Sequence, residues 1–140
     1  MVATDYSEGM IREAQKGKCV DNLIFEVADA TDLPYENHSF DVVLIANALH
    51  IMPEPEKALK EIERVLKEDG LLIAPNFVSH QSGIISCLWS GILRIAGITF
   101  EHQWSGEEYL FWLGQNGWKV QYKKSCPARI TLMYVECIRE

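Results

Sequence analysis

The sequence predicts an α/β protein whose sheet is mostly parallel and ends in an antiparallel C-terminal hairpin. Three observations predict it. Short apolar, β-compatible runs alternate with segments of helical periodicity, in the order strand, helix, strand, strand, helix, strand, helices, strand, strand. Residues 40–46 (FDVVLIA) are apolar almost without interruption after Asp41, the pattern of a central strand buried on both faces of a parallel sheet. Residues 40–74 then form a strand, crossover helix, strand unit, which is right-handed in nearly all known cases. At 140 residues, 48% hydrophobic and 24% charged, the chain has the size and composition of one packed domain, which excludes disorder and coiled coil.

The elements follow in order. Residues 1–4 are short, apolar and β-compatible. Asp5 ends that strand, Ser7 caps a helix running to about Lys16, and Gly17 stops it. Residues 23–28 form the next strand. Pro53 and Pro55 open a helix in which Ala58, Ile62, Val65 and Leu66 recur at helical spacing, while Lys57, Lys60, Glu61, Glu63 and Arg64 face water. Gly70 stops it, and residues 71–74 give another short strand. Ser105-Gly106-Glu107-Glu108 reads as a capping box before a helix to Gln115, with Asn116-Gly117 as its end. Residues 118–123 and 129–138 read as two strands joined by a turn at Ser125-Cys126-Pro127, an antiparallel edge.

Thirteen Lys and Arg against 20 Asp and Glu leave a net charge of −7, which opposes binding to DNA or RNA. Cys19, Cys87, Cys126 and Cys137 have neither CxxC nor zinc-ligand spacing, so they read as reduced thiols and no metal site is expected. Asp5 and Glu8 stand where a secretion signal needs a basic flank and an apolar core, so a cytoplasmic location is expected. The apolar stretch at residues 84–98 is shorter than the ~20 residues needed to span a bilayer and carries Arg94. It does not span. An interfacial helix and a helix packed on a core share its composition.

In open α/β sheets ligands lie outside the carboxyl ends of the strands. Three such positions stand out: Asp5 after the first strand, Asp29-Ala30 after the second, and Asn47-Ala48-Leu49-His50 after the third. A carboxylate there can accept two hydrogen bonds from a ribose diol. The alternatives are structural: Asp5 helps cap the next helix, and Asp29 orders the loop at residues 30–35.

The order of these motifs resembles the class I methyltransferases that use S-adenosylmethionine, in particular the small-molecule enzymes of ubiquinone and menaquinone biosynthesis. VATDYSEGMI (2–11), VADATDLPYENHSFDVVLIANALHIMPEPEKALKEIERVLKEDGLLI (27–73) and SGEEYLFWLGQNGWKV (105–120) carry the resemblance in combination, and residues 79–104 are least like it. The resemblance implies a Rossmann-like sheet and S-adenosylmethionine as cofactor. It implies that Asp5 binds the ribose hydroxyls, Met10 packs near the adenine, Asp29 and Ala30 contact the adenine edge, and Asn47, Ala48, Leu49 and His50 line the methionine end. Taken alone, Met10 is more often core, and His50 more often a hydrogen-bonded pocket wall than a base. His50 and His80, near strand ends, are the candidate bases for a small, partly apolar methyl acceptor, and residues 79–104 would sit where the family places its substrate cover.

The sequence departs from the family at its front. The family begins with a strand and a GxGxG loop, whereas here no two glycines stand one residue apart and the chain starts at the family's second strand. In the family's sheet order, 3-2-1-4-5-7-6, the missing strand is central. The expected fold is therefore a single domain truncated at its N-terminus, with an open slot between residues 1–4 and 40–46. Unpaired buried backbone groups cost roughly 1 to 3 kcal/mol each. The slot is expected to close by direct pairing of the two strands or, preferably, by segment exchange in a homodimer. The opposite expectation is a catalytically inactive remnant that associates but binds no cofactor.

Overall fold

The computed structural model describes residues 1–17, 20–78, 102–127 and 130–140. Their elements are β1 (Val2–Asp5), α1 (Glu8–Gln15), β2 (Ile24–Val27), β3 (Phe40–Leu44), a 3-10 turn (Leu49–Ile51), α2 (Pro55–Val65), β4 (Leu66–Ile73), β5 (Asn76–Val78), α3 (Gly106–Gln115), β6 (Trp118–Cys126) and β7 (Thr131–Arg139). The α/β class and the antiparallel C-terminal hairpin are as the sequence predicts. The segment at 79–104 falls outside the described residues except for its last three.

Two sheets result. β1 and β2 pair in parallel, with Val2 opposite Ile24 and Asp5 opposite Val27. The larger sheet runs β3-β4-β7-β5, and β6 pairs with the other side of β7. β3 and β4 are parallel, whereas β7 is antiparallel to β4, β5 and β6. β7 is thus an interior strand and β6 the edge, so only one strand of the predicted hairpin lies at the border.

β1 and β3 share no ladder, so the direct pairing expected across the slot does not occur. β3 is also not buried on both faces. Ile45 and Val43 face the core, while Val42 is 51% and Leu44 62% exposed on the opposite side. Its apolar run reflects a strand with one covered face and one free edge among the described residues.

α1 starts where the sequence places it, with the Ser7 side chain accepting from the Met10 amide. The capping box of α3 is complete: the Ser105 amide donates to Glu108 Oε2 and the Glu108 amide to Ser105 Oγ. In α2, Pro55, Ala58, Leu59, Ile62 and Val65 are buried in the core as the periodicity requires. Tyr109 of α3 is fully buried, and its hydroxyl donates to the Ala74 carbonyl at 2.9 Å, tying α3 to the sheet.

α2 does not run to Gly70. It ends at Val65, because Leu66 turns extended and its carbonyl accepts from Arg139 Nη2 at 2.7 Å and contacts His38 Nδ1 at 3.1 Å. Those tertiary partners replace the bonds a further helical turn would make. Residues 67–70 then bulge: Phe40 faces Leu66, but Val42 already faces Leu71. Gly70 is required by space, since a Cβ there would lie 2.5 Å from Leu66 Cγ.

Gly70→Ala should therefore destabilise the fold by about 1 to 3 kcal/mol through overpacking against Leu66. Urea unfolding checks this: a midpoint equal to that of the wild type would show that the bulge relaxes freely.

Candidate functional site

Two clusters form at the carboxyl ends of parallel strands. At the first, the Ala28 amide donates to the Asp5 carbonyl at 3.2 Å, closing the β1–β2 ladder and placing Asp29 just beyond it. Asp5 Oδ1 accepts from the Ser7 amide at 2.8 Å. Asp29 Oδ1 accepts from both the amide and the hydroxyl of Thr31 at 2.8 Å. The Thr31 amide and hydroxyl hold the Asp29 carboxyl below its ordinary value. Each aspartate thus performs the local ordering role that its spacing allows, and among the described residues no bond engages either Oδ2. Met10 is 58% exposed, so it is not a core methionine. Ala30 packs against the core.

The loop carrying Asp29 and Ala30 is fastened to α2. Arg64 donates through Nη2 to the Leu33 carbonyl at 2.8 Å and through Nη1 to the Tyr35 carbonyl at 2.6 Å. Its Nε and Nη2 also donate to Glu61, whose Oε2 accepts from the Leu33 amide at 2.9 Å. One planar guanidinium and its carboxylate partner thus satisfy three backbone groups of the loop, the Leu33 and Tyr35 carbonyls and the Leu33 amide. Glu61 and Arg64 are thus half-buried loop anchors rather than residues of a water-facing surface.

The second cluster follows β3 and β4. Asn47 adopts φ 52°, a left-handed conformation that Asn tolerates better than most residues. Its amide donates to the Pro75 carbonyl at 2.9 Å, and its Oδ1 is buried without a hydrogen-bond partner. Leu49 fills the core and Ala48 packs on it, so both support the turn from below. His50 is 4% exposed. Its Nδ1 lies 2.7 Å from Oδ1 of the buried Asn76, and its ring meets Phe77 edge-on at 6.0 Å. Burial lowers the His50 pKa and outweighs the opposing effect of the Asn76 bond, which keeps the ring neutral at physiological pH.

His102 joins this cluster through its amide, which donates to the His50 carbonyl at 3.0 Å. Its ring stacks on Trp104 at 5.0 Å, Trp104 stacks on Trp112 at 4.6 Å, and the buried His102 Nε2 has no hydrogen-bond partner. Sequence reasoning missed Asn76 and His102. The strand-end rule that selects Asn47 also reaches Asn76, just beyond β4; nothing in the spacing of His102 ties it to His50. His80 lies outside the described residues. Among the described residues no group of three or more His, Cys, Asp or Glu could hold a metal ion. No helix among them is long and apolar enough to cross a membrane.

Residues 1–74 match the methyltransferase domain family. The chain belongs to this family, the class I methyltransferases dependent on S-adenosylmethionine. The match contains Asp5, Met10, Asp29, Ala30, Asn47 and His50. The chain is 42% identical over 78 residues to the demethylmenaquinone methyltransferase of Clavibacter sepedonicus, covering 55% of this chain and 32% of that protein. It thus spans about a third of the length of this curated relative. Its fold is similar to a structure of the complex between the Haloferax volcanii Trm112 methyltransferase activator and a methyltransferase (TM-score 0.77, 21% identity, 99% of this chain and 71% of that one). It is also similar to an S-adenosylmethionine-dependent methyltransferase of Methanosarcina mazei (TM-score 0.75, 17% identity, 99% and 82%). The two structures support the fold. With the family placed, the strand order β2-β1 and β3-β4-β7-β6 reproduces the family's 3-2 and 4-5-7-6 halves.

A neutral buried His50 makes stability depend on pH. Its folded pKa lies below the value of about 6.5 that the unfolded chain regains, so the unfolded state binds more protons as pH falls. Stability should therefore fall between about pH 7.5 and about pH 5.5, and His50→Gln should flatten that part of the curve. Urea midpoints at both pH values for both proteins check it, and parallel curves would remove His50 as the source.

Proposed function

We propose that this chain carries the S-adenosylmethionine site of a methyltransferase acting on a small, partly apolar molecule. The observation that carries the reading is that every proposed cofactor residue falls inside the family match over residues 1–74 and that all of them except Met10, which lies on α1, stand at or just beyond the carboxyl end of a parallel strand. Asp5 offers Oδ2 to the ribose hydroxyls, Asp29 and Ala30 meet the adenine edge, and exposed Met10 packs beside it. Asn47, Ala48, Leu49 and His50 shape the methionine end. The buried, unpartnered Asn47 Oδ1 fits that group, since an acceptor there is satisfied by an amino-acid ammonium.

Bound S-adenosylmethionine supplies an electrophilic methyl group. The residues of this chain hold the acceptor in line and keep water out, which is where most of the rate comes from in such a transfer. His50, neutral and buried, accepts the acceptor's proton, with His80 the other candidate. The stacked His102, Trp104 and Trp112 favour a flat, apolar acceptor, in keeping with the likeness to a demethylmenaquinone methyltransferase. The free thiols Cys126 and Cys137 suit the cytoplasm.

The edges of β1 and β3, unpaired among the described residues, favour a homodimer in which a second copy fills the slot by exchanging a segment. They also favour the rival reading, a catalytically inactive remnant that associates without binding cofactor. Thermal unfolding with S-adenosylhomocysteine separates the two: at 100 times its dissociation constant a ligand should add about 2.7 kcal/mol of stability. Asp5→Ala should abolish most of that gain. A folded dimer with no shift would establish the remnant. Sedimentation of the same sample should show a dimer, and a compact monomer would overturn segment exchange.

A further inference from the structure

The His50–Asn76 pair is more specific than its burial requires. Asn76 is fully buried, and its Nδ2 donates to the Phe77 carbonyl at 3.3 Å. That bond turns Oδ1, an acceptor only, toward His50 Nδ1 at 2.7 Å. Nδ1 must therefore carry the proton, and in a neutral imidazole the other nitrogen is then the one with a lone pair. The ring cannot easily rotate out of this arrangement. Phe77 sits edge-on beside it, and the His50 backbone is held by the 3-10 turn and by the His102 amide.

We infer that Asn76 is a positioning residue that fixes His50 as the Nδ1–H tautomer and makes Nε2 the proton-accepting nitrogen. The catalytic part of this rests on the reading of His50 as the base; the tautomer does not. Asn76 serves the role that a carboxylate or a backbone carbonyl serves for many functional histidines, but without charge. A carboxylate here would favour the charged ring and so oppose a base that must start neutral. The amide orients the ring and leaves it deprotonated. The two side chains alone could also bond with the amide reversed and the ring protonated at Nε2, but that would give up the Nδ2 bond to the Phe77 carbonyl, so the tautomer reports the orientation in which Asn76 is held.

The test is nitrogen NMR of the full chain labelled with 15N in its histidines, with the His50 signals assigned by their loss in His50→Gln. The wild type should show His50 as the Nδ1–H tautomer. Asn76→Ala should lose that preference, and Asn76→Asp, which keeps the acceptor, should restore Nδ1–H while moving the titration of the ring to higher pH. A wild-type ring protonated at Nε2 overturns the inference, and does so even if Asn76→Ala fails to fold. An unchanged tautomer in folded Asn76→Ala overturns it as well. In turnover, Asn76→Ala should lower kcat tenfold or more with KM nearly unchanged. If the tautomer follows Asn76 while His50→Gln retains full kcat, the positioning stands and the reading of His50 as base falls.

Discussion

The register of β7 across the break between β4 and β5 is the constraint on which the second cluster depends. Leu72 faces Cys137 and Ile73 faces Glu136, the Ala74 amide donates to the Val135 carbonyl, and Asn76 resumes opposite Met133. The count is even on both sides, so β4 and β5 are one run interrupted at Pro75, which has no N–H to give to a ladder. The interruption has a use. The Pro75 carbonyl accepts from the Asn47 amide, and the Ala74 carbonyl from the Tyr109 hydroxyl. Asn76 is thereby delivered, fully buried, to the place where His50 arrives from β3. A slip of one residue along β7 would turn Asn76 to the opposite face and leave His50 Nδ1 without its acceptor.

The first cluster depends on a different device. β1 and β2 share no ladder with the larger sheet, so the loop after β2 needs another attachment, and the Glu61–Arg64 fork provides it. A lysine could neutralise Glu61 but could not reach the two carbonyls of Leu33 and Tyr35 from one rigid plane. The hydrogen bonds run from an amphipathic helix to loop backbone, which combines the packing role of α2 with the positioning of Asp29. Side-chain bonds rather than a ladder hold that loop, whereas the β3–β4 side is held by backbone pairing across β3, β4 and β7.

Local signals were legible in the sequence wherever local physics decides. The Ser7 cap, the Ser105–Glu108 capping box and the buried stripe of α2 are written within a few residues of chain, and the structure has all three. The end of α2 was not legible, since Arg139 and His38, distant in sequence, hold the Leu66 carbonyl. Glu61 and Arg64 look like any solvated pair on a helix until the loop arrives over them. The apolar run of β3 predicted two covered faces, but a β-branched run reports the preference of a strand for cover and not what supplies it. The site divided in the same way. Strand ends pointed to Asp5, Asp29, Asn47 and His50, while Asn76 and His102 gained their meaning only from the partners that β7 and the turn before α3 bring to them.

Asn47 joins these threads. A chain leaving β3 for the 3-10 turn must reverse tightly, and it does so through a left-handed residue. Glycine would make that turn with less strain and is the usual choice. It would contribute no side chain. Asn is among the few other residues that tolerate the conformation, and it adds an acceptor, here buried and unpaired at the carboxyl end of a parallel strand. A turn that only had to close would not carry an unsatisfied buried oxygen, which costs about 1 to 3 kcal/mol. Two small penalties, in backbone and in solvation, fall on the same residue. They fall at the carboxyl end of a parallel strand, inside the proposed cofactor site, which is the pattern expected when local stability is exchanged for a preformed contact.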